Sequence, residues 1–313
     1  MLRSETYILK DKINVGISAC NFGALVRYNR KGWDRLESLG REKDAFIWTP
    51  VCPEVMSGLG VPRHPMKLVD GNGDDFWQGK SRMKNKKGEN ISNLIKEGAL
   101  AALGNIQRAN VEAFVFMDGS PSCGVYRTSL KNARLGKPPG IFGSLLLKEQ
   151  LFLIPSLDLD SPLKWWDWRR RLHAFVWLKR ENVENKNKLT DIWHNYKFLC
   201  QEISRVRADK LGHQIAEISQ KSTVTELEVI KSEVLEILRL PSSINRIKAM
   251  AEKQMGFYCK HLGVCYVEKL PSVDSAKQKF FEKLIELEKI ALKNNINYGF
   301  VPVIYRDESR QTI

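Results

Sequence analysis

Three cysteines stand where a chain of this type can do chemistry. Cys20 follows the run INVGISA, Cys52 follows FIWTPV, and Cys123 ends the loop DGSPSC that comes after VEAFVFM. Each run is short, β-rich and bounded by turn residues, so each cysteine lies just past the end of an expected strand. Open α/β sheets place their ligands in the crevice outside the carboxyl ends of the strands, where residues far apart in sequence converge. Thiolates there are soft metal ligands. Three of them cannot give one ligand to every iron of a four-iron cluster, so such a set leaves one iron open, and an open iron is a Lewis acid with affinity for sulfur. The competing reading is three small buried hydrophobes, because free cysteine is among the most buried residue types. The coincidence of all three at strand ends favours a shared site.

Candidate acid–base groups surround them. Glu54, two residues beyond Cys52 in PVCPE, has the position to deliver a proton or orient a water, although a carboxylate there also suits a helix N-terminus. Ser120 and Ser122 flank Pro121 and can position substrate or water, while Arg27 and Arg63 are planar forks suited to an anionic or pyrimidine oxygen and equally suited to a structural role at the surface. Cys200 and Cys259 sit in helical apolar patterns, KFLC and GFYCKHL, and read as packing residues; Cys265 lies in the same half. His64, His173, His194, His213 and His261 share no metal spacing, and no CxxC pair supports a zinc site. Six cysteines in 313 residues, in a chain expected in the reducing cytoplasm, argue against a disulfide framework.

The elements that must position these residues follow a strand–helix alternation. Ile13 to Ala19, Ala45 to Val51 and Val111 to Met117 read as strands, and Ile91 to Ala109 as a helix with Asn90 or Ser92 at its start. That order implies a layered, Rossmann-like parallel α/β domain over residues 1–155. LIPSLDLDSP reads as a linker, and KSRMKNKK as a loop or edge able to meet phosphate or simply to face water. From residue 163 to 313 helical spacing dominates, through Lys164 to Arg180, Lys188 to Arg205, Glu226 to Leu238 and Ser275 to Lys293, which predicts an all-α domain. Its opening, KWWDWRRRLHAFVWLKR, interleaves four tryptophans with six basic residues, a composition suited either to stacking on bases or to burying a Trp stripe.

Composition narrows the partners. An apolar fraction of 43% is that of a globular chain, no run is long enough to span a membrane, and MLRSETYILKDK lacks a secretory apolar core, so a cytoplasmic protein is expected. Lys and Arg exceed Asp and Glu by 50 to 36, and the net +14 favours a polyanionic partner such as nucleic acid.

ISAC at 17–20, VRY at 26–28, PVCPEVMSGLGVPRHP at 50–65 and GSPSCG at 119–124 resemble the thiouracil desulfurase (TudS) family through most of the first half. The second half looks like the helical domain fused to it in RudS, the family acting on 4-thiouridine in tRNA, with that domain as the tRNA binder. The resemblance implies that Cys20, Cys52 and Cys123 ligate a [4Fe-4S] cluster, that Glu54 and Ser120 assist catalysis, and that Arg27, Arg63 and Ser122 meet the substrate. The implied reaction is a non-redox desulfuration of 4-thiouridine in tRNA to uridine, with water as nucleophile. Desulfuration of free thiouracil and a non-enzymatic RNA-binding protein are the alternatives. The chain departs from the family at Asn21-Phe22, where Leu-Leu is usual, and at Asn29, where Asp is usual.

Overall fold

The computed structural model describes residues 6–129, 137–262, 270, 277–293 and 299–306. They fall into two compact units, Lys12–Ser161 and Met1–Asp11 with Pro162–Ile313.

After β1 (Tyr7–Leu9), which belongs to the second unit, the first unit runs through β2 (Ile13–Ser18), β3 (Phe46–Val51), α1 (Pro53–Met56), β4 (Met66–Val69), α2 (Gly73–Trp77), β5 (Arg82–Asn85), α3 (Ser92–Arg108), β6 (Ala113–Phe116), α4 (Ile141–Lys148) and β7 (Phe152–Pro155). Strands β3, β2, β6 and β7 form a four-stranded parallel sheet in that order. Its inner strands are covered on both faces and therefore read as near-continuous apolar runs: Ile13, Val15 and Ile17 of β2 and all of β6 are buried. Helix α3 supplies Ile95, Ala99, Ala102 and Ile106 to the core at helical spacing, and each buried isoleucine stabilises by ~1.5–3 kcal/mol. Gly98 lies on the same helix where α1 rests, since a Cβ there would stand 2.2 Å from the Pro53 carbonyl oxygen. The close approach sets α1, and with it Cys52 and Glu54, against the sheet.

Two stretches are more ordered than a linker or loop. LIPSLDLDSP is not a free linker: its start belongs to β7, and Ser156–Asp160 forms a 3₁₀ turn. The β run is short and is hidden by the proline and aspartates that follow it. In KSRMKNKK, Arg82–Asn85 is β5, paired antiparallel with β4, so a lysine-rich segment of poor strand propensity is held by its partner.

The second unit contains α5 (Pro162–Arg180), α6 (Lys186–Ile203), α7 (Arg205–Glu217), α8 (Val224–Arg239), α9 (Ile244–Leu262), α10 (Lys277–Lys293) and β8 (Val303–Tyr305). It is helical but not purely so, because β1 pairs in parallel with β8. Tyr7 stacks on Trp177 of α5 with ring centroids 4.0 Å apart.

Helix α5 is buried over most of its surface. Trp165, Trp166, Trp168, Leu172, Phe175 and Leu178 are buried, and so are Arg170 and Arg171. Arg170 donates to Glu202 at 2.6 and 2.7 Å, to Asp167 at 2.6 Å and to the Phe300 carbonyl at 3.0 Å. Arg171 donates to Asp167 at 2.7 Å and to the carbonyls of Leu238 and Leu240 at the end of α8. The guanidiniums also lie over indole rings, Arg170 over Trp166 at 4.6 Å and Arg171 over Trp168 at 4.0 Å. These tryptophans and arginines build the bundle interior, which overturns the base-stacking reading of this helix. Among the described residues no helix is long and apolar enough to cross a membrane.

Candidate functional site

Strands β3, β2 and β6 are neighbours, and neighbouring strands lie ~4.8 Å apart, so the three segments that leave their carboxyl ends start side by side. Cys20 sits in the 3₁₀ turn Ala19–Asn21 directly after β2, Cys52 is the residue before α1 directly after β3, and Cys123 lies in the loop after β6. Cys20 and Cys52 are half-buried, Cys123 is buried, and all three are free thiols.

The loop holding Cys123 is built by its serines. Ser120 Oγ accepts from the backbone N–H groups of Ser122, at 3.2 Å, and Cys123, at 3.1 Å. The start of α4 grips the same loop, with Phe142 and Gly143 N–H donating to the Ser122 carbonyl at 2.8 and 3.0 Å. Gly140 permits that contact, since a Cβ there would stand 2.6 Å from the carbonyl oxygens of Pro121 and Ser122.

Glu54 faces this loop. Its Oε1 accepts from Ser122 Oγ at 2.7 Å, and its Oε2 is ion-paired with Arg63. Ser120 Oγ stands 3.0 Å from Ser122 Oγ, which makes a chain of hydroxyls ending on the carboxylate. Arg63 is turned inward: besides Glu54, it donates to the carbonyls of Val26, at 2.8 Å, and Gly60, at 3.1 Å. It thereby ties the 26–28 loop to the segment after α1. Arg27 lies over the Trp33 ring at 4.7 Å and close enough to Cys20 for its charge to favour that thiolate.

The electrostatics join the three thiols. Burial pushes Cys20 up to about 12, with the neighbouring Cys52 and Glu54 adding to the rise and Arg27 opposing it. Burial raises Cys52, and the Glu54 charge adds to it. Cys123 is raised well above the ordinary thiol range by burial and then by Cys52, Glu54 and Cys20. Each bare thiol therefore holds its proton at neutral pH, and a metal that binds takes the place of those protons. Asn21, next to Cys20, is fully buried, yet neither its side-chain oxygen nor its nitrogen has a partner; Nε of Arg27 and of Arg63 are likewise unpartnered. Buried polar groups left so cost ~1–3 kcal/mol each.

No group of three or more His, Cys, Asp or Glu among the described residues is arranged to hold a metal ion. An iron–sulfur cluster makes a different demand, one thiolate per iron, and so suits soft donors spread over three strand ends. The donor set fits such a cluster.

Some features were not anticipated. Leu59, Pro62, Arg63, His64, Asn85 and Ile91 line a cleft of about 420 Å³, within the range of small-molecule sites. Arg63 is shared between this cleft and Glu54. Its His64 and Asn85 carry no sequence signal of their own, although His64 falls within the PVCPEVMSGLGVPRHP block. Outside the site, Cys200 is fully buried, as a packing residue should be, whereas Cys259, also expected to pack, is exposed and disulfide-bonded. Cys265 and the His261 side chain lie outside the described residues.

Fold and site together define a parallel α/β domain with three neighbouring thiols at strand ends and a held carboxylate. Residues 15–157 match the 2-thiouracil desulfurase family. Over 152 residues the chain is 32% identical to the uncharacterized protein YbbK of Bacillus subtilis (strain 168), an alignment that spans 47% of this chain and 98% of the relative. A solved structure described as the [4Fe-4S]-dependent thiouracil desulfidase TudS is 28% identical, over 47% of this chain and 91% of its own, with a TM-score of 0.36. The chain belongs to the 2-thiouracil desulfurase family by way of its first unit, and is a desulfurase with a helical unit added.

Proposed function

We propose that the chain removes the sulfur of a thiolated pyrimidine with a [4Fe-4S] cluster held by Cys20, Cys52 and Cys123, and that its substrate is 4-thiouridine in tRNA. The observation that carries this reading is the convergence of three free thiols at adjacent strand ends beside a carboxylate fixed by Arg63 and Ser122. When bound, a cluster with three protein ligands supplies an open iron, a Lewis acid that draws electron density from a thiocarbonyl.

The chain's own residues do the rest. Glu54 Oε1 takes a proton from the water that adds to the ring carbon, and Ser122 Oγ, 2.7 Å away, holds that oxygen's orientation, backed by Ser120. Arg63 keeps the carboxylate aimed, and Arg27 meets the substrate beside Cys20. The carbon–sulfur bond breaks, a carbon–oxygen bond replaces it, and the two protons of water leave with the sulfur as hydrogen sulfide. No electron is gained or lost overall.

Support for tRNA comes from the net charge of +14, although the base must be turned out of its stack, at a cost of a few kcal/mol. One observation favours free thiolated pyrimidines instead: the Trp-rich basic stretch of α5 is buried and cannot stack on bases. Incubating the anaerobically reconstituted protein with 4-thiouridine-containing tRNA and, separately, with 2-thiouracil decides between them. Bleaching of the tRNA thiouridine absorbance with sulfide release is the expected result; turnover of 2-thiouracil alone would replace tRNA by the free base.

A further inference from the structure

Burial of α5 removes one of the two basic stretches that the sequence suggested for a polyanion, and the other, KSRMKNKK, lies on β5 and the turn after it. In the β4–β5 hairpin Lys67 stands directly opposite Lys84, so their side chains share a face, and Arg82 and Val69 continue that face. The opposite face is the buried one, with Met83 fully enclosed and Met66 and Leu68 packed on the core. Lys86 and Lys87 follow at the exposed turn. The acids nearby are already engaged, Asp70 by Arg82 and Glu89 by the Asn85 amide. Lys67, Lys84, Lys86 and Lys87 have no ion pair among the described residues.

Like charges directly opposite in a two-stranded ribbon weaken it. A hairpin of this kind gains from a ligand that brings evenly spaced negative charge. Its end residue Asn85, on the opposite face from the lysines, lines the same cleft as Arg63, and Arg63 is paired with Glu54, so this strand pair ends on the side of the unit that holds Glu54. Resting on the tRNA reading above, we infer that the β4–β5 hairpin, through Lys67, Lys84, Lys86 and Lys87, is an RNA phosphate-binding surface on the same unit as the thiols. It holds the backbone on either side of the turned-out nucleotide. This surface is independent of the helical unit and reads charge, not sequence.

The test uses the full chain carrying Lys67→Gln and Lys84→Gln together, with Lys221→Gln and Lys253→Gln as a control of equal charge in the helical unit. Binding of a fluorescein-labelled, unmodified tRNA transcript is followed by anisotropy over a range of salt. Each phosphate contact contributes ~0.7–0.9 to the slope of log affinity against log salt, so the hairpin pair should lower that slope by about 1.5 and affinity at 0.1 M salt on the order of tenfold or more. The control pair should change neither, and 2-thiouracil turnover should stay at the wild-type value. The thermal midpoint of the hairpin variant should equal or exceed the wild type, because the opposed lysines are gone. An unchanged slope in the hairpin variant overturns the inference and leaves the tRNA reading standing, as does an equal fall in the control. Loss of 2-thiouracil turnover also overturns it, by placing the hairpin in the base site. Absence of salt-dependent tRNA binding by the wild type overturns both.

Discussion

One buried polar cluster in each unit is built in the opposite way from the other. In the helical unit, Asp167, Arg170, Arg171 and Glu202 are buried, and each is met by opposite charge or by carbonyls at 2.6–3.1 Å. Burial pushes the Asp167 carboxyl up, but the Arg171 and Arg170 guanidiniums outweigh it and hold it below its ordinary range. In the sheet unit, burial raises three thiols at adjacent strand ends, Cys52 adds to the rise of Cys20 and Cys123, and the Asn21 amide beside them has no partner. A closed network of charges is part of the structure that it sits in. An open set, with acceptors and donors left over beside a fixed carboxylate, is what the proposed cluster would complete.

Glu54→Gln should produce the largest effect on that contrast. The amide still accepts from Ser122 but cannot take a proton, so turnover should fall by ~10²–10⁴ while iron content stays at the wild-type level. Retained turnover would remove Glu54 from the proton path. In the helical unit, Arg170→Ala leaves Glu202 buried with no cation and should cost ~3–5 kcal/mol in urea unfolding, without altering the iron bound per folded molecule. A cost under ~1 kcal/mol would mean that the network is not closed as described.

A smaller, pH-dependent effect sharpens the same unit. His173 is buried, and burial, aided by the Arg169 charge, pushes it down to about 3. A depressed histidine contributes stability that is present above its unfolded value near 6.5 and is lost as pH falls towards the folded value. Stability should therefore drop by about 2 kcal/mol between pH 7 and pH 5, and His173→Leu should remove that drop. The Asp167 carboxyl acts only at lower pH, so the two windows separate. An equal drop in the variant would assign the acid sensitivity elsewhere.

The strands that deliver the cysteines were legible because β2, β3 and β6 are apolar, β-rich runs, and the α3 stripe was legible from its spacing. The hairpin was not, since Lys84 and Asn85 have poor strand propensity and β5 exists through its pairing with β4. The role of α5 was open between two readings because its composition suits both. What decides it is the Glu202 carboxylate, placed by α6 far along the chain, which neutralises Arg170 inside the bundle. The Glu54–Arg63 pair escaped for a related reason: α1 ends at Met56, so no helical spacing links the two residues. Of the serines, sequence reasoning favoured Ser120 for catalysis; the fold puts Ser122 in contact with Glu54 and Ser120 behind it. Contacts between distant segments are set by packing, not by local pattern.

The central claim, that Cys20, Cys52 and Cys123 form an open ligand set and not a packed core, is tested most directly by anaerobic iron and sulfide analysis with an absorption spectrum, on the wild type and on Cys52→Ala. The account predicts about four irons per wild-type chain with charge-transfer absorbance, and loss of both in a Cys52→Ala protein that still folds. A colourless wild type with the same folding stability as Cys52→Ala would contradict it and return the three thiols to the interior of the sheet unit.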